Sequence, residues 1–262
     1  MYTLVYFYPA QWIFGGSGLD FANAVVYNKA SNLQGFISGK GPSMAARNLK
    51  QQAYNVIKEK IINCEFAPGA VYNEEYLCEE VNTSRTPVRD ALGRLEQEGL
   101  IKIMPKRGIV VSPLTLKDVR MVYEMRLLLE PYSLRQYGDA LGEPEILRYH
   151  RFFSLPDISG RQFFQADDDF HMWIMEAADN IYLKKNYELL YNQNRRFRIL
   201  TGTLSARRVR ETCGEHVRIL TACLEKDWEN AALAMEDHLH KSREGTFELL
   251  LARQREEAGF RR

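Results

Sequence analysis

Five histidines occur in the chain, and three of them sit where they could meet one carboxylate. Asp167 and His171 lie four residues apart in QADDDFHMWIMEAADN, so a helix projects both from one face. His216 and His238 are each eleven residues from Asp227, where the helical pattern turns, and an antiparallel pair of helices therefore sets them at one level. Three neutral imidazoles and one carboxylate converging inside a bundle suit a borderline divalent metal. Zn and Ni come first, with Fe, Co or Mn also suited, at roughly 2.0–2.2 Å for zinc and with a position left for water or a ligand atom. Any one of these histidines alone reads as a polar residue on a half-buried helix; the equal spacing about the turn shifts the weight to a metal. Asp168 is a weaker candidate. His240, about 200° round a helix from His238, reads as surface, and His150 and Glu215 are given no role.

A second constellation is basic. In NTSRTPVRDALGRLEQEGL, Arg85 and Arg89 stand one helical turn apart, on a face away from Val88, Ala91, Leu92 and Leu95. Such a pair can reach guanine edges or phosphates, while the Ser84 and Thr86 hydroxyls and the free amides of a helix start can bind the DNA backbone. Lys106 and Arg107, between IKIM and GIVV, would add phosphate or minor-groove contacts. A solvated basic face would show the same charge spacing, so the surrounding elements have to decide.

Those elements are short helices and a hairpin. From Leu49, apolar residues at Ala53, Val56, Ile57, Ile61 and Ile62 recur with helical period up to Ala67-Pro68-Gly69. Asn73 can cap a second helix, EEYLCEEV, with Tyr76, Leu77 and Val81 inward. Thr83 or Ser84 caps a third, with Pro87 in its first turn and Gly99 at its end. IKIM and GIVV read as two strands joined by a basic turn. Three helices and a basic hairpin are the order of a winged helix-turn-helix. After Thr115 the pattern is helical to the end, with about six helices starting near 116, 143, 162, 181, 207 and 228 and Pro131 kinking the first or removing a bond from it. The fold expected is mainly α: a winged helix-turn-helix over residues 44–113, then an all-helical bundle over 114–262.

The 262 residues, 45% hydrophobic and 26% charged, exclude collagen-like, disulfide-scaffold, disordered and membrane-spanning classes. Residues 1–43 stand apart, with only Asp20, Lys29 and Lys40 charged and nine aromatics; with Met44 as a second possible start, they read as a leader or tag-like extension, the rival being a partner-binding segment. Cys64, Cys78, Cys213 and Cys223 show no CxxC spacing and read as reduced residues of a cytoplasmic protein. A net charge of +1 argues against DNA binding only until placement is considered, since Arg85, Arg89, Lys106 and Arg107 gather on one face while four acids sit in the second helix.

The segment NCEFAPGAVYNEEYLCEEVNTSRTPVRDALGRLEQEGLI, followed by PKRG, closely resembles the DNA-binding domain of the GntR family of bacterial transcription regulators. That resemblance implies a dimer on a palindromic operator, with Arg85, Thr86, Arg89, Arg107 and Gly108 contacting DNA. The remainder resembles the FCD effector domain of the FadR branch, through Glu124, Arg126, Leu129 and Glu130 (E-x-R-x-x-L-E), Asp167, His171 and Asn180, Glu215-His216, and His238 twenty-two residues later. It implies that Asp167, His171, His216 and His238 are metal ligands and that Arg126 holds a small carboxylate effector by a bidentate fork. Six helices suggest the shorter, VanR-like variant. The expected protein is a homodimeric repressor in the bacterial cytoplasm, nucleoid-associated through DNA, with no membrane and no catalytic role. The alternative is a metal-dependent enzyme or a metal-stabilised interaction domain built on the same Asp/His site, although H-E-x-x-H, the paired Glu-x-x-His of di-iron bundles and a general base beside the ligands are all missing from the sequence.

Overall fold

The computed structural model describes residues 44–202 and 204–259, so the leader expected over residues 1–43 lies outside them. Helix α1 (Met44–Ile62) leads through a turn in which Cys64 takes φ 57° to a two-residue strand β1 (Val71–Tyr72), then α2 (Glu74–Glu80), α3 (Arg85–Gln97), β2 (Ile101–Met104) and β3 (Gly108–Val111). The sheet is antiparallel in the order β1-β3-β2, with Val71 opposite Val110 and Ile103 opposite Ile109. Strand β1 is additional to the expected hairpin, because two residues are too few to show alternation. Asn73 caps α2 through the Tyr76 amide at 2.7 Å. Ser84 holds the cap position of α3, but its hydroxyl makes no capping bond. Tyr76, expected inward, is exposed instead, stacked on the Tyr72 ring that β1 brings beside it. Ile57, Ile61, Leu77, Val88, Leu92, Leu95, Leu100 and Val111 form the core, each contributing about 1.5–3 kcal/mol by leaving water.

Six helices follow: α4 (Leu116–Tyr137), α5 (Glu143–Phe153), α6 (Gly160–Glu176), α7 (Ile181–Thr201), α8 (Ala206–Leu224) and α9 (Trp228–Gly259), with a single 3-10 turn at Gly138–Ala140. Each begins within two residues of its expected start, since the capping residues are explicit. Thr115 with Asp118 and Ser159 with Gln162 make capping boxes, and Asn180 and Ser205 accept from the first-turn amides of α7 and α8. Pro131 is buried within α4, which runs on through it. Gly138 closes α4 where any Cβ would lie 2.4 Å from the Trp228 ring, so only glycine lets α9 start against that helix. Helix α9 packs on both α4 and α8, and α5, α6 and α8 enclose an apolar centre of Tyr149, Phe153, Phe163, Phe170, Ile219 and Leu220. The chain thereby brings α4, α6, α7, α8 and α9 around one cavity.

Candidate metal centre and nucleic-acid interface

Helix α6 presents Asp167 and His171 from successive turns, α8 presents His216, and α9 presents His238. All four are buried, and one ligand atom from each lies within 4.8 Å of every other. Asp167 Oδ1 is 3.3 Å from His216 Nε2 and 3.9 Å from His171 Nε2. The imidazole rings of His171, His216 and His238 are 4.6–5.4 Å apart, centroid to centroid.

Two of the imidazoles are aimed from behind. His171 Nδ1 is 2.7 Å from Glu130 Oε2, and His238 Nδ1 is 2.8 Å from Glu215 Oε2. A carboxylate at Nδ1 fixes the proton there and leaves Nε2 as a lone pair, the arrangement found behind metal-bound histidines. Nε2 of both His171 and His216 is buried without any hydrogen-bond partner. Orphaned buried nitrogens cost roughly 1–3 kcal/mol each, and two of them converging with a carboxylate oxygen fit a divalent cation. His216 differs from its neighbours: no carboxylate stands behind it, its Nδ1 is also unpartnered, and Phe153, Phe170 and Phe163 hold its ring by packing.

The charges follow this geometry. Burial favours protonation of Glu130, but the Arg126 guanidinium and His171 outweigh it and hold the carboxyl at about 2. Asp167 behaves likewise, burial opposing its charge and Arg198 doing most to keep it ionised. His216 is driven well below 6.5 by burial and by His238, and burial also depresses His238 despite the pull of Glu215. Asp167 is thus ionised with His216 and His238 neutral beside it, the protonation state a metal requires of its ligands.

Arginines line the same cavity. Arg126 is buried, and its Nε donates to Glu130 Oε1 at 2.6 Å with Nη2 at 3.5 Å from Oε2, so the fork expected to face an effector is engaged with α4 itself. Tyr187 donates to the same Glu130 at 2.7 Å. Arg198 is a participant that the sequence reading lacks: its Nη1 donates to Asp167 Oδ2 at 2.6 Å and to Asp168 Oδ1 at 2.5 Å. That places Asp168 on an arginine and outside the ligand cluster. Arg208 pairs with Glu215 at 2.8 Å. Arg126, Arg198 and Arg208 share the cavity wall with the Thr212, Ser242 and Thr246 side chains, around a space of about 50 Å³. Glu130, Glu215 and Arg198 carried one local sequence signal, the four-residue spacing of Arg126 and Glu130. His150 is 3.3 Å from the Thr221 hydroxyl, and His240 is exposed.

On the DNA-binding domain, Arg85 and Arg89 project from the first turns of α3 and are 61% and 67% exposed, with Ser84 and Thr86 beside them. Both arginines rest on acids of α2. Arg85 Nη2 is 2.7 Å from Glu75, and Arg89 Nε is 2.9 Å from Glu74. Lys106 (φ 65°) and Arg107 are exposed at the hairpin turn. Gly108 has φ 108°, and a Cβ there would meet the Tyr72 carbonyl oxygen at 2.6 Å, so its smallness is needed for β3 to pair with β1.

A winged helix-turn-helix followed by a six-helix domain is the layout of a DNA-binding transcriptional regulator. Residues 49–111 match the bacterial regulatory proteins of the gntR family, and residues 121–241 match the FCD domain. The chain carries a gntR-family DNA-binding domain followed by an FCD domain. Among its relatives, the uncharacterized HTH-type transcriptional regulator BphR of Paraburkholderia xenovorans is 28% identical over 77% of this chain and 86% of its own length. YdhC of Bacillus subtilis, also described as an uncharacterized HTH-type transcriptional regulator, is 28% identical over 69% of this chain and 83% of its length. The HTH-type transcriptional repressor RspR of Escherichia coli is 29% identical over 50% of this chain and 60% of its length. Among solved structures, McbR/YncC of E. coli superposes with a TM-score of 0.65 at 19% identity, covering 76% of this chain and 97% of that one. The families and relatives matched are transcriptional regulators rather than enzymes. No helix among the described residues is long and apolar enough to cross a membrane.

Proposed function

We propose that this gntR-type regulator controls transcription, as a repressor, through a divalent metal held by Asp167, His171, His216 and His238, with a small carboxylate bound beside it as effector. The observation that carries the reading is the convergence of unpartnered imidazole nitrogens on Asp167 Oδ1, two of the rings being oriented by Glu130 and Glu215. Zinc or nickel suits that donor set, with iron, cobalt or manganese next. A bound metal would act as a Lewis acid for a ligand carboxylate. The chain's own groups would orient that anion: Arg126, Arg198 and Arg208 all line the cavity, Arg126 with its Nε on Glu130.

Ser84, Arg85, Thr86 and Arg89 of α3, with Lys106, Arg107 and Gly108 of the wing, form the proposed DNA contact. Two copies would read a palindromic operator, consistent with the exposed Met121, Met125, Leu128 and Tyr132, which recur every three or four residues along α4 as a dimer seam would require. Six helices in the second domain agree with the VanR-like layout, and the working place is the bacterial cytoplasm, on the nucleoid.

Elemental analysis of protein purified without a metal-affinity step tests the centre. About one equivalent of metal is expected in the native protein, with loss in Asp167→Ala and His216→Ala. A metal-free native protein that also fails to take up zinc or nickel would overturn the reading. Duplexes selected from a random pool, titrated with and without the metal, test the regulatory half.

A further inference from the structure

One turn of α7 reaches in two directions. Arg198 ties this helix to the ligand-bearing α6, through Asp167 and Asp168 and by Nη2 to the Phe164 carbonyl oxygen at 3.0 Å. Arg196, two residues earlier and therefore about 200° round the helix, faces the DNA-binding domain. Its Nη2 donates to the Ser112 carbonyl oxygen at 2.6 Å, just past the wing, and its own carbonyl accepts from Cys64 Sγ at 3.7 Å. Arg195 donates to Asn63 Oδ1 at 3.2 Å, so the end of α1 and the exit of β3 are both held from this turn.

Arg196 is fully buried, its second hydrogen bond goes to Gln193 on its own helix, and its Nε has no acceptor. It forms no ion pair among the described residues, and Asp118, the carboxylate that acts on it, does so from beyond ion-pair distance. A buried guanidinium without a counter-ion is costly, and an apolar side chain of similar volume would serve packing better. Its position between two domains points to another use.

We propose that the Arg195–Arg198 turn of α7 is the coupling element through which occupancy of the Asp167 site reaches the DNA-binding domain, with Arg196 as the positioning residue that holds Ser112 and the end of α1. Drawing Asp167 onto a metal alters the grip of Arg198, α7 shifts or stiffens, and Arg196 passes the change to the segment that sets the orientation of α3. The proposal rests on the reading of Asp167 as a metal ligand.

Amide hydrogen exchange on the full chain, with zinc or with chelator, tests it without knowledge of the operator. Zinc is expected to slow exchange about fivefold or more in residues 162–171 and also in 60–66 and 110–114. In Arg196→Met, calorimetric zinc affinity and the effect at 162–171 stay as in the native chain, while the effect at 60–66 and 110–114 disappears. Arg196→Lys restores part of it. Arg195→Ala, at a half-buried position that leaves the fold intact, reduces the effect at 60–66 alone, which keeps the test open if the methionine variant fails to fold. Unchanged exchange at 60–66 and 110–114 on adding zinc to the native chain, or a full effect in the Arg196 and Arg195 variants, overturns the coupling. If calorimetry shows no zinc uptake, the metal reading fails separately. Asp167→Asn then perturbs the Arg198 grip directly, and it must alter exchange at 60–66 in the native background but not with Arg196→Met.

Discussion

Glu215 immediately precedes His216 in the chain, yet it serves the histidine of the next helix: its Oε2 lies 2.8 Å from Nδ1 of His238. Glu130 does the same for His171 from across the bundle. Removing either carboxylate should weaken zinc binding about 10- to 100-fold in a chelator competition. The two variants should differ in stability. Glu130→Ala strands the buried Arg126 and should cost about 3–5 kcal/mol in urea unfolding. Glu215→Ala leaves Arg208, which is 21% exposed, able to turn to water, and should cost less.

Arg85 and Arg89, the arginines proposed to contact DNA, are held by acids that a duplex would have to displace. Arg89→Ala should weaken binding to a selected duplex by about 1–3 kcal/mol for each base edge the guanidinium reads. Glu74→Gln should act in the opposite direction, because it releases Arg89 and removes a negative charge next to the phosphates, while Glu75 keeps its hold on Arg85. Fluorescence anisotropy over a range of salt concentrations checks both, and a Glu74→Gln variant that binds more weakly would show that the pairs orient the arginines rather than compete with DNA.

Zinc-free protein should lose stability in acid in two stages. His216 and His238 have folded pKa values below 6.5, so the unfolded chain binds protons that the folded chain does not. Their contribution is complete above about pH 6.5 and declines as pH falls, by up to about 1.4 kcal/mol per pH unit for each histidine. Glu130, depressed from 4.5 to about 2, adds a loss of the same sign as pH falls through that interval. Urea midpoints between pH 8 and 4 measure the slope. A flat profile between pH 7 and 5 would mean that the histidines take up protons in the fold as readily as in the unfolded chain. The neutrality of His216 and His238 predicts that neither releases a proton when zinc binds at pH 7, and calorimetry in buffers of different ionisation enthalpy counts the protons released.

Gly108→Ala should destabilise the wing by about 1–3 kcal/mol, since it places a Cβ against the Tyr72 carbonyl oxygen at a positive φ. DNA affinity should fall with it, even though the glycine has no side chain to contact DNA. Circular dichroism melts alongside duplex titration separate the two effects. Undiminished stability with weakened binding would assign Gly108 a direct contact.

Local pattern carried most of what the sequence revealed. The i, i+4 spacing of Asp167 and His171 and the symmetric placement of His216 and His238 about a turn are consequences of helix geometry, readable wherever caps such as Thr115 and Ser205 mark the ends. Other parts depended on contacts between distant positions. Glu130 and His171 are 41 residues apart, and Arg198 and Asp167 are 31 apart, so no spacing rule links them. Arg126 reads as an open fork in the sequence although its partner, Glu130, stands only four residues on, because spacing alone does not say whether such a pair closes on itself or faces a ligand. Strand β1 stayed hidden because its pairing with β3, rather than any alternation of its own, makes it a strand.

The cavity also has an electrostatic sum. Three carboxylates, those of Asp167, Glu130 and Glu215, are matched one for one by the guanidiniums of Arg198, Arg126 and Arg208 around the imidazoles. The lining is therefore balanced before anything binds, and a divalent cation entering it would bring two positive charges with no spare carboxylate to meet them, in a medium where an uncompensated charge is expensive. A bound metal would for that reason draw anions, hydroxide or carboxylate, to its open positions.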